Sequence, residues 1–230
     1  ALDVVLNVHD DRDITHLLTR VAGLDAELIN GVLAEHSSGL RVLLAPSAGQ
    51  PMDIGLPQVQ QIVSTLRNLF NWVVIDLGLP LDEVAYAFID SADRIIMTVI
   101  PEMVALRNTR LMMDQLQVRG HGDHKLWLVL NRSTIPSGIS RGEIEGRLHV
   151  RVHATVPDDQ ALVSQSVNRG VPLMIDQERS AVCRAVKSIA HELVTERAGA
   201  HVDATAEPAA PRANPFGRWL RRPGTVEPQP

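Results

Sequence analysis

Residues 126–132 read LWLVLNR, an apolar run that ends abruptly on an amide and a guanidinium side chain. Because the run has no polar face, it is typical of a strand that is covered on both sides in a parallel sheet. Similar runs predict further strands at 40–45 (LRVLLA), 72–76 (WVVID), 94–100 (RIIMTVI) and 150–156 (VRVHATV).

Segments with apolar residues at helical spacing separate these runs. They predict helices over 14–20, 25–35, 57–69, 81–90, 103–118, 140–148, 159–168 and 178–196, while residues 2–8 are expected to be a strand or the end of a helix. This alternation indicates an α/β fold of three layers, in which helices cover both faces of a mostly parallel sheet.

In such sheets, ligands bind beyond the carboxyl ends of the strands. The first candidates for a site are therefore the residues that directly follow each predicted strand, namely Pro46-Ser47, Asp76-Leu77-Gly78, Pro101-Glu102, Asn131-Arg132 and Pro157-Asp158.

Three of these positions carry side chains with more than one interpretation. Asp76 could hold a water molecule on Mg²⁺, which prefers hard oxygen ligands, or it could be a loop residue or a helix cap. Asn131 offers a donor and an acceptor and could read the edge of a purine, or it could form a turn. VPDD, at 156–159, is either a base-binding loop or a helix start with an aspartate cap.

Composition narrows the class of protein. The chain has 230 residues, of which 45% are hydrophobic, enough for one α/β domain. A net charge of -5 argues against nucleic-acid binding, which needs clustered basic residues. The single cysteine, Cys183, cannot form an internal disulfide, and a reducing cytosolic setting is the default. No apolar run reaches the roughly 18–20 residues of a membrane span.

Several catalytic and binding motifs are absent. HELVT at 191–195 lacks the second histidine of a zinc protease, and HGDH at 121–124 is interpreted as a solvated turn. The phosphate-loop pattern G-x-x-x-x-G-K-[ST] does not occur, and the lysines, Lys125 and Lys187, lie outside any glycine-rich turn. As given, the chain cannot hold a triphosphate in the phosphate-loop manner.

The order of the segments resembles a known family. FNWVVIDLGLPLDEVAYAFIDSADRIIMTVIPEMVALRNTRLMMDQL (70–116), LVLNRSTIPSGISRGEIEGRL (128–148) and VPDDQALVSQSVNRGVPLM (156–174) are similar to the MinD/ParA-like deviant P-loop ATPases. The likeness is strongest to the pilus-assembly branch, the Tad/Cpa-type (CpaE-like) proteins of Flp pilus biogenesis, and it runs from about residue 2 to 196.

The resemblance implies roles for individual residues. Asp76 matches the switch II aspartate that contacts the magnesium shell through water. Asn131 and Arg132 match the family's NR motif, whose asparagine recognises adenine. Pro157 and Asp158 match the loop that packs beside the base. The implied cofactors are ATP and Mg²⁺ in the intact parent, which is expected to form a homodimer.

The same resemblance implies that the first strand, the phosphate loop and the first helix precede the point where this chain begins. We therefore expect an N-terminally truncated ATPase domain over 1–197 and a disordered tail over 198–230, and we expect this chain alone to bind ATP weakly or not at all. The tail contains NPFGRWLRRP (214–223), whose aromatic and basic residues could contact the surface of a membrane.

The expected function is ATP-dependent localisation or assembly of a Flp-type pilus or secretion machine, with assembly proteins as partners. The location is expected to be cytoplasmic, at the inner membrane or the cell pole. One alternative is a non-hydrolysing scaffold of the same fold that localises partners. Another is a chromosome- or plasmid-partition ATPase, against which the acidic balance argues.

Overall fold

The computed structural model describes residues 2–18, 24–46, 54–122, 124–136 and 138–205. The chain divides into two compact units, Ala1–Ile189 and Ala190–Pro230. The predicted site residues lie in the first unit, and the described part of the second is the end of the last helix. Ser47 and the 214–223 segment lie outside the described residues.

The described residues form helices and short strands that are connected by loops. The helices are α1 (Leu2–Leu6), α2 (Thr15–Leu18), α3 (Ala26–Val32), α4 (Leu56–Leu69), α5 (Glu83–Ser91), α6 (Met103–Val118), α7 (Arg141–Leu148), α8 (Gln160–Arg169), α9 (Leu173–Asp176) and α10 (Ala181–Thr205). The strands are β1 (Ala34–Glu35), β2 (Arg41–Val42), β3 (Ile95–Val99), β4 (Leu126–Leu130) and β5 (Val152–Thr155).

The main sheet contains three parallel strands in the order β3-β4-β5. Ile95 pairs with Leu126 and Val99 with Leu130, so β3 and β4 run in register along their full length. A bulge between Leu128 and Val129 leaves His153 out of the β4–β5 ladder, and His153 instead accepts a hydrogen bond at Nδ1 from the Leu128 amide, at 3.3 Å. The predicted parallel α/β arrangement is confirmed.

Both faces of β4 are covered by helices, as its all-apolar sequence predicts. Leu128 and Leu130 pack in a core with residues of α5, α6 and α7. Val129 points the other way and packs with Val182 of α10 and with Leu173 of α9. Helices on the two sides make this part of the molecule three layers deep, because alternate side chains of a strand point to opposite faces.

A second core lies among α2, α3, α4 and α5. Side chains buried in it include Leu17, Ile29, Val59 and Ile62. Asp25 begins α3 by accepting a hydrogen bond from the Leu28 amide at 2.8 Å. α4 covers the predicted helix 57–69 and begins one residue earlier, α3 is shorter than the predicted 25–35, and α2 lies within the predicted 14–20, of which residues 19 and 20 are outside the described chain.

The predicted strand at 40–45 is wrong in extent, because β2 contains two residues and pairs antiparallel with β1. Gly39, at φ +86°, turns the chain between the two strands. The Leu44 carbonyl accepts a hydrogen bond from the Ile14 amide at 2.9 Å, so the chain beyond β2 bonds to a loop instead of extending the strand.

The predicted strand at 72–76 is also wrong, because these residues form no regular structure. Val74 is 90% exposed, and Asp76 is exposed beyond it. Within the described chain, no backbone hydrogen bond joins residues 73–79 to another segment. An apolar stretch becomes a strand only when a neighbouring strand satisfies its amides and carbonyls, and none of the described residues forms such a strand beside 72–76.

One open expectation is decided by the structure, and two helices differ from the prediction. Residues 2–6 are helical, so the helix interpretation of 2–8 holds. Helix α9 was not predicted, and α10 continues to Thr205, beyond the predicted end at residue 196. Among the described residues, none of the helices combines the length and the apolar character that crossing a bilayer requires.

Candidate functional site

The carboxyl ends of the three parallel strands are joined by backbone hydrogen bonds. The Asn131 amide donates to the Val99 carbonyl at 2.8 Å, and the Val156 amide donates to the Leu130 carbonyl at 2.8 Å. The Ser133 amide continues the pattern by donating to the Val156 carbonyl at 2.9 Å. These bonds hold the loops after β4 and β5 side by side, as predicted for a parallel sheet.

Arg132 links the two loops through its side chain. Its Nε donates to Asp158 Oδ1 at 2.6 Å, and its Nη2 donates to Gln160 Oε1 at 2.9 Å. The side chains of Arg132 and Asp158 are 37% and 23% exposed, so the ion pair is partly shielded from water. Arg132 also has φ +53°, a left-handed backbone conformation that non-glycine residues rarely adopt.

Asn131 lies next to this ion pair and is half-buried. Its Oδ1 accepts a hydrogen bond from the Arg132 amide at 2.9 Å, which fixes the side-chain amide at the edge of the sheet. Oδ1 retains a second lone pair, and within the described chain Nδ2 makes no hydrogen bond, so a donor and an acceptor remain for a ligand.

The two aspartates of VPDD have different roles. Asp159 caps α8, because its Oδ1 accepts a hydrogen bond from the Leu162 amide at 3.1 Å. Asp158 is the partner of Arg132, and its amide donates to Thr134 Oγ1 at 3.0 Å. The helix-cap interpretation therefore applies to Asp159, while Asp158 and the half-buried Pro157 belong to the loop beside Asn131.

The loop after β3 borders the same edge. The Ile139 amide donates to the Pro101 carbonyl at 3.0 Å. Gly138 lies so close to Pro101 that a Cβ atom at residue 138 would be 3.0 Å from the Pro101 Cγ. This contact places the loop that follows Asn131 against the start of α6.

Asp76 is not joined to these residues. It is exposed, and within the described chain no hydrogen bond or ion pair connects it to Asn131, Arg132 or Asp158. Four of the five predicted site residues therefore lie as a cluster on two adjoining loops, and no described contact joins the fifth, Asp76, to them. Among the described residues, no group of three or more histidine, cysteine or acidic side chains could hold a metal ion.

Gln160 and Thr134 also belong to the cluster and were not predicted. Gln160 opens α8 directly after the VPDD segment, and Thr134 follows Asn131 by three residues. The sequence does show polar side chains in the loop after β4 and in the first turn of α8. It does not indicate which of these side chains would contact one another.

Neither lysine lies at the carboxyl edge. Lys125 precedes β4, at its amino end, and its Nζ donates to the carbonyls of Ile89 and Asp90 at 3.1 and 3.2 Å. Burial lowers the pKa of Lys125. Lys187 is bonded to Glu178. The described residues thus fit a nucleobase at the edge of the sheet, but they do not fit a triphosphate, because no lysine-bearing glycine-rich loop faces it.

A surface cleft of about 440 Å³ lies elsewhere, where α1 and β1 meet the turn between α8 and α9. Asn7, His9, Glu35 and Gly170 are among its lining residues, and the five predicted site residues are not. The cleft is therefore separate from the cluster at the sheet edge.

Comparisons with known proteins find a partial similarity to MinD proteins. The chain is 28% identical over 158 residues to the septum site-determining protein MinD of Synechocystis sp., and 26% identical over 144 residues to a putative MinD of Emiliania huxleyi. These alignments cover 66% and 60% of the chain. Part of the chain is thus homologous, at low identity, to MinD/ParA-family proteins.

Solved structures of this family share the fold. A ParA family ATPase from Chlorobium tepidum superposes with a TM-score of 0.75 at 18% identity, covering 81% of this chain and 78% of that one. MinD with Mg-ADP from Pyrococcus horikoshii gives 0.68 at 18% identity, covering 84% and 77%. A MinC:MinD complex from Aquifex aeolicus gives 0.65 at 18% identity, covering 84% and 78%.

The match to MinD is partial. The chain spans 58% of the length of the Synechocystis protein and 52% of that of the Emiliania protein. No family model matches the sequence. The homology therefore supports the fold and the broad family of MinD/ParA-like P-loop ATPases, at low identity and over part of the chain.

Proposed function

We propose that this chain forms the adenine-binding side of a MinD/ParA-like nucleotide switch. The observation that carries the proposal is the ion pair from Arg132 to Asp158, at 2.6 Å, which fixes the loops after β4 and β5 around Asn131. Asn131 would read the edge of the base with its side-chain amide, Pro157 would pack beside the base, and Arg132 and Asp158 would hold this geometry.

We further propose that the intact protein supplies a strand with a phosphate loop beside residues 72–76. Two features of the structure support this. Residues 73–79 have no backbone partner in the described chain. The strand β3, in turn, pairs within the described sheet on one side only, with β4. ATP and Mg²⁺ would then bind the intact protein, with Asp76 acting on the ion through water.

In this proposal the intact protein is an ATP-dependent homodimer that localises or assembles a Flp-type pilus or secretion machine. Resemblance to the pilus-assembly branch supports the role, and the MinC:MinD complex shows a fold neighbour engaged with a partner protein. It would act in the cytoplasm, at the inner membrane or the cell pole, where the 214–223 segment could contact the bilayer surface.

The second candidate is a scaffold of the same fold that binds partners without nucleotide turnover. It is favoured by two absences among the described residues: no lysine lies at the carboxyl edge of the sheet, and no contact joins Asp76 to the cluster. A partition ATPase remains a weaker alternative, because the net charge of -5 disfavours binding to DNA.

Binding of adenosine, ADP and ATP to this chain tests the proposal. We expect all three to bind weakly and with affinities within about threefold of one another, since base contacts are present and phosphate contacts are not. Titrations followed by amide chemical shifts should move residues 131–134 and 157–160. Guanosine should move them less, because its edge has a different donor and acceptor pattern.

The variant Asn131→Ala should lose the response to adenosine, whereas Asn7→Ala, in the separate cleft, should keep it. Adenosine that leaves the 131–134 amides unmoved would refute the base-binding role and favour the scaffold. Micromolar ATP affinity that depends on the phosphates would show instead that this chain already contains a phosphate site.

A further inference from the structure

Helix α6 carries an apolar ridge on the side that faces away from the core. Val104 is 72% exposed, Leu111 is 50% exposed and Val118 is 88% exposed. The residues that α6 buries are Leu106, Thr109 and Leu116. Packing within the described chain does not account for three large apolar side chains in a row on the solvent side of one helix.

The spacing of these three residues makes the ridge straight and symmetric. They are seven residues apart, so each is rotated by only about 20° from the one before it. At a rise of 1.5 Å per residue, Val104 and Val118 lie about 10 Å on either side of Leu111. A two-fold axis through Leu111 would therefore place Val104 of one helix opposite Val118 of another.

We propose that this ridge is a self-association surface, on which a second copy of the chain docks through its own α6, antiparallel, about a two-fold axis at Leu111. Leu111 would meet Leu111 of the other copy, and Val104 would meet Val118 at both ends. Such an interface is isologous, since the same patch serves both copies, and it closes at a dimer.

The polar side chains beside the ridge fit the same axis. Arg107 and Asp114 lie on one flank of the ridge, four residues before Leu111 and three after it. Under this two-fold, Arg107 of one copy lies at nearly the same height along the helix axis as Asp114 of the other. The offset is one residue, or about 1.5 Å. Asn108 and Gln115, on the opposite flank, are matched in the same way, as an amide pair.

The charges are available for this contact. Arg107 is exposed, and within the described chain it makes no hydrogen bond or ion pair. Asp114 accepts at Oδ1 from Arg110 Nε at 3.0 Å, and Arg110 is itself held by the Leu148 carbonyl at 3.3 Å. Asp114 Oδ2 is left for Arg107 of the other copy, so each interface would contain two such ion pairs.

The size of the ridge sets the strength of the dimer. One face of a 16-residue helix buries less than the roughly 800 Å² per partner of a standard stable interface. We therefore expect a weak dimer, with a dissociation constant on the order of 100 µM. The ridge is exposed on α6 in the absence of any ligand, so we expect this association not to need nucleotide. In this respect it differs from the ATP-dependent dimer proposed above.

Sedimentation of the full chain without nucleotide, from about 5 to about 500 µM, tests the proposal. Wild type should shift from monomer to dimer across this range. Leu111→Asp should raise the dissociation constant at least about tenfold, because it buries two carboxylates at the axis. Arg107→Asp should weaken the dimer through repulsion from Asp114, and the double variant Arg107→Asp/Asp114→Arg should restore it.

Val163→Asp is the matched control, since Val163 is a 39% exposed valine on α8. It should leave the dimer unchanged, and circular dichroism should show that all variants keep the fold. If the wild-type chain is monomeric at every concentration, the proposal is wrong, and the ridge would instead bind a different protein. A dimer that is insensitive to Leu111→Asp, or no recovery in the double variant, would overturn it as well.

Discussion

Arg132 determines the shape of the candidate site through both its backbone and its side chain. Its left-handed backbone turns the chain directly after β4, with φ +53°. Its guanidinium then reaches across to Asp158 and Gln160 on the neighbouring loop. Because both loops are also joined by the bond from the Ser133 amide to the Val156 carbonyl, the side chain adds rigidity to an edge that the sheet already holds.

Arg132→Ala should lower the free energy of unfolding by about 1 kcal/mol, a value between that of an exposed ion pair and that of a shielded charged hydrogen bond. Urea titration at neutral pH measures the change. Arg169→Ala is the control, because its pair with Asp176, at 2.9 Å, has side chains that are 51% and 36% exposed. It should cost less than about 0.5 kcal/mol. Equal losses would show that Arg132 contributes no more than a surface pair.

Glu145 links α7 to β5 and makes stability depend on pH. Its Oε1 accepts from the Val152 amide at 2.9 Å and from Arg141 Nε at 3.1 Å. The Val152 hydrogen bond, followed by that of Arg141, lowers the pKa of Glu145 below its ordinary value. A carboxyl whose pKa is lower in the folded state stabilises the protein above its unfolded pKa, and this contribution is lost as the pH falls through the folded pKa.

We expect Glu145→Gln to have a lower free energy of unfolding than wild type at pH 7. The difference between the two proteins should become smaller as the pH falls below about 4. Urea midpoints at pH 7, 5, 4 and 3 would show it. Gln165→Ala, at an exposed amide of α8, removes no titratable group and should give a difference that does not change with pH. A constant gap for Glu145→Gln would contradict the role of its charge.

At the scale of elements, residues 72–76 and β4 have similar sequences and different structures. β4 is buried throughout, because β3 and β5 pair with it and helices cover both its faces. Residues 73–77 alternate between half-buried and exposed side chains, with Val73 packed on the core among α2 to α5 and Val74 in solvent. The difference lies in the neighbours of each segment rather than in its own residues.

Hydrogen exchange should separate the two segments. The amides of residues 73–76 should exchange at least about 100-fold faster than those of 127–130, since free backbone amides open without breaking a ladder. Mass spectrometry of peptides from each segment measures the rates. Protection of 73–76 at the level of β4 would show that this chain already provides a strand beside it.

Local features of the sequence predicted much of the fold. The five apolar residues of β4 gave its bounds, and Ser140 with Glu143 forms a capping box at the start of the predicted helix α7. Pairing between distant segments was not predictable, because an apolar run such as 72–76 carries no information about its neighbour. The same limit applied to the site: Arg132 and Asp158 were singled out separately, but their contact spans 26 residues.

Within the first unit, the sheet lies between two hydrophobic cores, one on each of its faces, and both are distinct from the core among α2 to α5. Leu128 is fully buried among α5, α6 and α7, and Val129, 3% exposed, packs against α9 and α10 on the opposite face. The site at the carboxyl edge depends on both cores, because Asn131 and Arg132 follow Val129 by two and three residues along the chain. Loosening either core should therefore affect the global stability and the geometry of the loops together.

Leu128→Ala should lower the free energy of unfolding by about 2–5 kcal/mol, since it leaves a cavity in the centre of the sheet. Ile96→Ala is the control, because Ile96 lies on the exposed face of β3 and is already 46% exposed. It should cost less than about 1 kcal/mol. Urea titration of the two variants measures the contrast. If Leu128→Ala cost no more than Ile96→Ala, helices would not cover β4 on that face, and the three-layer arrangement that supports the site would be wrong.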